Sequence, residues 1–393
     1  MIPEQGQRGA GACRNYTAGS QSGFSLLAIA GTLNELELKE LTTLRTPPFV
    51  VYALLQTAAA GTPAADTSPL PAPVYTVSRS WPLGGAGGWD YLALEASGAR
   101  LFISRGDRVD VVETVSGKLA GTIPNTAGVH GIAFVPALKR GFTSNGRADT
   151  VSVFELDTLR VIREVPVSGK KPDAILFEPR QNHVITANGE SANLSVLDAA
   201  TLQIVATVAL PGPPEFMATD AAGTVYVNIE TDPGKLVVVD GKSLAVKATW
   251  PLPGCSNPTG LALDTVHHRL FSVCENQVMA VTDSVSGKQV ARVVIGSGPD
   301  AAAFDSQLGL VFSSNGMDGT LTVIHEESAD EYRVLATVTT QVSARTMALD
   351  PATHRIYLAA AKLGATPPAT TEQPHPRPSI APDSFSILVA QPK

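Results

Sequence analysis

The chain has 393 residues, 44% of them apolar, and a formal net charge of −7. That length admits one large repeat domain or two ordinary ones, and the acidic balance argues against broad, charge-driven nucleic-acid binding, leaving room only for a local basic patch. With 34 glycines and 29 prolines scattered throughout, and no long amphipathic helical pattern after residue 73, an all-β fold is favoured. The three cysteines form no CxxC pair and no cluster with histidines at zinc spacing, so a structural zinc site is not expected.

Residues 1–72 differ in character from the rest of the chain. The stretch Met1–Ser22 is polar and glycine-rich and reads as disordered. Residues 33–43 (LNELELKELTT) match a short helix. Arg45, the apolar run Phe49–Leu55 and the small residues Ala58, Ala59 and Ala60 then resemble a secretory signal over about residues 44–65. The run is too short to span a bilayer, which takes about 20 apolar residues. Because this pattern lies far from Met1, the secretory reading places the true start near residues 40–50. The alternative is an ordinary flexible extension.

From residue 73 to 393 one pattern recurs: four short strands per copy, with a turn after the first. That turn falls at Glu95, Val135, Glu178, Asp220, Asp264, Asp305 and Asp350, at intervals of 40–45 residues. The copies align visibly, as in LALEASGARLFIS (92–104), LALDTVHHRLFSV (261–273) and MALDPATHRIYLA (347–359). Five residues later stands Arg100, Arg140, His183, Arg269 or Arg355 in five copies. Third strands are VSVFELD (151–157), LSVLDAA (194–200), LVVVDGK (236–242) and LTVIHEE (321–327), each running into an acidic turn residue able to bond backbone amides. Four strands at this period specify the blade of a β-propeller, here seven-bladed. The last copy holds only three strands, ending in SFSILVA (384–390). TVSRSWPL (76–83) matches the fourth strand VKATWPL (246–252), so residues 74–83 are expected to close the last blade. An open edge would otherwise invite aggregation.

The segments FTSNGRADTVSVFELDT (142–158), ITANGESANLSVLDAAT (185–201), GPDAAAFDSQLGLVFSSNG (298–316) and HPRPSIAPDSFSILV (375–389) resemble the YVTN-type repeat of YncE-like propellers, over about residues 74–390. The resemblance implies a periplasmic or secreted protein without implying an activity. Some relatives have been linked to nucleic acid, which this acidic chain does not itself support.

In a propeller the first strand of each blade lines the central channel. Five residues before each turn position sit Asp90, His130, Asp173, Glu215, Thr259, Asp300 and Arg345, predicted to ring the channel mouth. Near the same face come Arg105, Asn145, Asn188, Cys274 and Asn315, with Asn228 in the shorter fourth copy. Crowded carboxylates should raise one another's pKa values or recruit a cation, with Asp90, Asp173, Glu215 and Asp300 as candidate metal ligands. Pro-Asp turns (KPDA, GPDA) and Asn-Gly turns explain Asp173, Asp300 and the asparagines equally well without any ligand. His130 alone reads more readily as a satisfied polar residue than as a ligand, and His267 and His268 fall in outer turns.

Cys255 and Cys274 map to one face of the fifth copy and are expected to form a disulfide, which fits an oxidising compartment. The alternative is two buried thiols. No GxSxG, P-loop or HExxH motif marks an enzyme. The favoured function is therefore a monomeric binding or scaffold propeller for a small molecule, peptide or cell-envelope protein. The alternative is a lactonase-type hydrolase using a divalent cation at the same face. A Pro/Thr/Ala-rich loop at 362–383 either covers the channel mouth or extends into solvent.

Overall fold

The computed structural model describes residues 73–368 and 378–393; the signal-like segment 44–65, the helix at 33–43 and Cys13 lie outside the described residues. The strand β1 (Tyr75–Pro82) precedes the first copy. That copy supplies β2 (Leu92–Leu94), β3 (Arg100–Ser104), β4 (Gly106–Glu113) and the start of a long β5 (Leu119–Val135). The second continues through β5 into β6 (Arg140–Asn145), β7 (Thr150–Glu155) and β8 (Val161–Pro166). Next come β9 (Pro172–Glu178), β10 (His183–Asn188), β11 (Asn193–Asp198) and β12 (Ile204–Ala209). The fourth copy gives β13 (Pro214–Thr219), β14 (Thr224–Ile229), β15 (Gly234–Asp240) and β16 (Ala245–Leu252). The fifth gives β17 (Pro258–Asp264), β18 (Arg269–Cys274), β19 (Val278–Asp283) and β20 (Gln289–Val294). The sixth gives β21 (Pro299–Asp305), β22 (Leu310–Asn315), β23 (Thr320–Ser328) and β24 (Glu331–Thr339), and the last β25 (Thr346–Asp350), β26 (Arg355–Ala360) and β27 (Ser386–Pro392).

These strands form five four-stranded sheets and one seven-stranded sheet, a propeller-like, all-β arrangement with antiparallel neighbours. The seven-stranded sheet arises because β5 serves two copies. It pairs with β4 mainly through Pro124 and with β6 from Val129 onward, passing through Asn125 in the left-handed region, φ 63°. The first strands touch in order, β2 with β5, β9, β13, β17 and β21 in succession, then β25, which touches β2 again.

Second and third strands are buried on both faces, as their unbroken apolar runs require, whereas fourth strands such as β12 and β16 alternate between exposed and covered positions at the outer edge. Acidic residues closing the third strands organise the turns: Asp198, Asp240 and Asp283 each accept two backbone amides. The recurring arginines fasten one copy to the next. Arg100 donates to the Leu156 carbonyl, Arg140 to those of Ala199 and Ala200, and Arg269 to that of Ala329.

The two ends of the repeat region share a sheet, in the order β1-β27-β26-β25, with Tyr75 opposite Pro392 and Trp81 opposite Ile387. The terminal strand begins two residues later than expected, because Ser384 belongs to the preceding turn, where its hydroxyl donates to the Ala381 carbonyl and accepts from the Lys362 amide. The matching tryptophans have matching surroundings. A Cβ added at Gly117 would lie 2.4 Å from Trp81, and one at Gly287 2.3 Å from Trp250, so each indole occupies space that only glycine leaves.

Cys255 and Cys274 are bonded, with Cα atoms 5.4 Å apart. No helix among the described residues is long and apolar enough to cross a membrane. The described flanks of the 362–383 loop close on each other through a Leu363–Ile380 bridge, and Asp383 accepts the Gly85 amide at 3.1 Å.

Candidate functional site

The first strands, or the residues just before them, carry the ring side chains to one place. His130 lies within β5, Asp173 in β9, Glu215 in β13 and Asp300 in β21; Asp90 and Arg345 precede β2 and β25. Five of these form a continuous chain of contacts. Asp300 meets Arg345, whose guanidinium also reaches Asp90 Oδ1 at 3.2 Å. Asp90 Oδ2 lies 2.5 Å from His130 Nδ1, and that same nitrogen lies 3.5 Å from Asp173 Oδ1. Glu215 stands slightly apart, accepting the Tyr91 hydroxyl at 3.3 Å.

The backbone under these groups is tied down. Thr346 donates to the Asp90 carbonyl at 2.7 Å, Ser144 donates to the Asp173 carbonyl, and Arg345 donates to the Trp89 carbonyl at 2.9 Å. A cavity of about 470 Å³ opens above them, bordered by Asp90, His130, Arg345, Arg147, Lys171 and Glu190. Tyr91, Lys171, Arg147 and Glu190 escaped sequence reasoning. Tyr91 adjoins a ring position, but nothing in its local pattern announces that its hydroxyl reaches the fourth copy.

Electrostatics sort the carboxylates. Burial alone would raise Asp90, but Arg345 and then His130 outweigh it and hold its carboxyl below the ordinary range. Burial pushes Asp173 up to about 6, eased by His130 and reinforced by Asp90. Burial pushes Glu215 far upward, reinforced by the charges of Asp173 and Asp300. For His130, burial opposes protonation, yet the hydrogen bond to Asp90 and the charge of Asp173 prevail and raise its pKa. The crowding thus raises two of these carboxylates and not Asp90, because the guanidinium of Arg345 stands beside that one.

The remaining candidates face elsewhere. Asn145, Asn188 and Asn315 are wholly buried. Each accepts a hydroxyl through Oδ1 and donates twice within its own sheet, Asn145 to Thr150 and Ser152, Asn188 to Asn193 and Ser195, Asn315 to Thr320 and Thr322. They fasten their own sheets, a structural role that needs no ligand. The cause is strand geometry: an asparagine at the end of β6, β10 or β22 can reach the hydroxyls on the third strand beside it. Asn228 binds the Thr259 and Gly260 carbonyls. Thr259 spends its hydroxyl on the Pro299 carbonyl at 3.0 Å, and Cys274 is in the disulfide. Arg105 is also fully buried, with its guanidinium 3.6 Å from the Phe385 ring centre and donating to the Gly84 and Ala86 carbonyls. It holds the 84–86 loop against Phe385.

Two groups of metal-ligating side chains occur among the described residues: Asp90, His130 and Asp173, and Asp264, His267 and Glu326. In the second, His267 Nδ1 lies 2.9 Å from Asp264 and 3.3 Å from Glu326, and joins the fifth copy to the sixth.

Neither a family model nor a curated protein matches the chain. Among solved structures, the chain is similar to Kuenenia stuttgartiensis hydrazine synthase, with a TM-score of 0.63 and 18% identity over 69% of this chain and 92% of that one. At that identity the likeness concerns the fold, and it supports a β-propeller.

Proposed function

We propose that the chain is a seven-bladed, YncE-like propeller that works outside the cytoplasm as a binding module, with the Asp90–His130–Asp173–Arg345 face as its ligand site. One observation carries this reading. Charged side chains from five separate copies, Asp300, Arg345, Asp90, His130 and Asp173, meet in one contact chain, three of whose members, Asp90, His130 and Arg345, border a cavity of about 470 Å³. Convergent polar groups in a concave site on a rigid frame are the usual mark of a ligand site. The cycle of touching first strands, with β5 shared between two copies, supports seven blades. The buried disulfide supports an oxidising compartment, periplasmic or extracellular. The mixed charge favours a small molecule or peptide bearing both polar and charged groups, or a cell-envelope protein presenting such a segment.

A thermal-shift screen of charged small molecules and short peptides tests the site. Compounds that stabilise the wild type should lose their effect in Arg345→Ala and Lys171→Ala variants. Hits that stabilise both variants as strongly as the wild type would place binding elsewhere and reject the face.

A further inference from the structure

We propose that Asp90, His130 and Asp173 form a binding site for a divalent first-row transition-metal ion at the channel mouth. This deepens the reading of that face as a ligand site and rests on it. One ligand atom from each of the three residues, which come from three copies, lies within 4.8 Å of the others, and His130 Nδ1 stands 2.5 Å from Asp90 Oδ2 and 3.5 Å from Asp173 Oδ1. Donors around a tetrahedral zinc-like ion stand about 3.3 Å apart, given metal–ligand distances near 2.0–2.1 Å. The 3.5 Å separation of His130 from Asp173 already suits this, and the 2.5 Å separation from Asp90 needs to open by under about 1 Å.

A second observation points to a ligand independently. Asp173 is 8% exposed, and its Oδ1 has no hydrogen-bond partner, although it faces His130. An acceptor oxygen held out of water without a donor is costly unless something fills its place. The supports around the three residues are those of a ligand set. Arg345 occupies the other oxygen of Asp90, fixing that carboxylate and leaving Oδ2 toward His130. Gly146 lets the imidazole sit where it does, since a Cβ there would lie 2.8 Å from His130 Cδ2 and Nε2.

The mouth carries charges of both signs: Asp90 and Asp300 meet Arg345, and Arg147, Lys171 and Glu190 border the cavity beside Asp90 and His130. An imidazole with two carboxylates suits zinc, cobalt or nickel better than calcium or magnesium, which prefer all-oxygen shells. Three protein ligands leave a position open toward the cavity, where water or a donor atom of a bound ligand can sit.

The test titrates chelator-treated, full-length protein with Co²⁺ and with Zn²⁺, following heat and the visible absorption of cobalt. The expected result is one equivalent bound, weakened at least about tenfold in both His130→Ala and Asp173→Asn. It should be unchanged in His267→Ala, which alters the other cluster. Circular dichroism checks that each variant folds, and His130→Gln replaces His130→Ala if that variant does not. No stoichiometric binding by the wild type, or binding that survives both mouth variants, overturns the metal site. Compounds that stabilise metal-free protein and lose their effect in Arg345→Ala would leave the ligand face standing while the metal proposal failed.

Discussion

Asp173 and Asn315 look alike as sequence, each a polar residue in a turn-rich motif, and the structure gives them opposite roles. Asn315 satisfies its amide on Thr320 and Thr322 of the same sheet, while Asp173 faces a histidine from the neighbouring copy. Asp173 also carries a measurable consequence. Its folded-state pKa of about 6 exceeds the ordinary 3.8, so the unfolded chain loses this proton first as pH rises. Its contribution therefore makes stability fall between about pH 4 and pH 6, and the loss stays above that window. Two units correspond to about 3 kcal/mol at most. In chelator, Asp173→Asn should be more stable than the wild type by about 1–3 kcal/mol at pH 8 and not at pH 4. Denaturant unfolding at the two pH values measures this, and a variant less stable at pH 8 would contradict the assignment. The ring position of Asp173 was legible from the repeat spacing. Its orphaned oxygen was not, because that depends on which neighbours supply donors.

Strand identity follows from the apolar runs, and turn identity from the acidic residues that close them. Asp198, Asp240 and Asp283 each bond two amides of the following turn, a contact local enough to be read from sequence. Contacts between copies are less readable. The periodic arginines were visible as a pattern, yet the carbonyls that Arg140 and Arg269 reach lie about 60 residues onward. The disulfide sits between these cases, since both cysteines belong to one copy and their separation is 19 residues. It ties the loop before β17 to the end of β18. Replacing both Cys255 and Cys274 by alanine should cost about 3 kcal/mol or more, from loop entropy and lost burial together. A denaturant midpoint equal to that of the wild type would show that the bond contributes nothing.

Across the whole molecule, the two ends of the repeat region hold each other in place. Ser78 donates to the carbonyl of Val389, 311 residues away, and Trp81 and Tyr75 of β1 are buried against the same sheet. Deleting residues 73–83 should lower the melting temperature by more than about 10 °C and promote aggregation, because β27 becomes an open apolar edge. Scanning calorimetry and light scattering would register both effects, and an unchanged transition would refute the closure. By itself the sequence determined the repeat, its four strands, their turns and the pairing of first with last, because backbone pattern and turn chemistry are local and recur at a fixed period. Only the tertiary structure decided which polar residues face a cavity and which fasten a sheet. It also decided that His130 joins two carboxylates and that Arg345 spares Asp90 but not Asp173. Those outcomes depend on distances between side chains of different copies, and a difference of an ångström or two separates a hydrogen-bonded neighbour from an unpartnered oxygen.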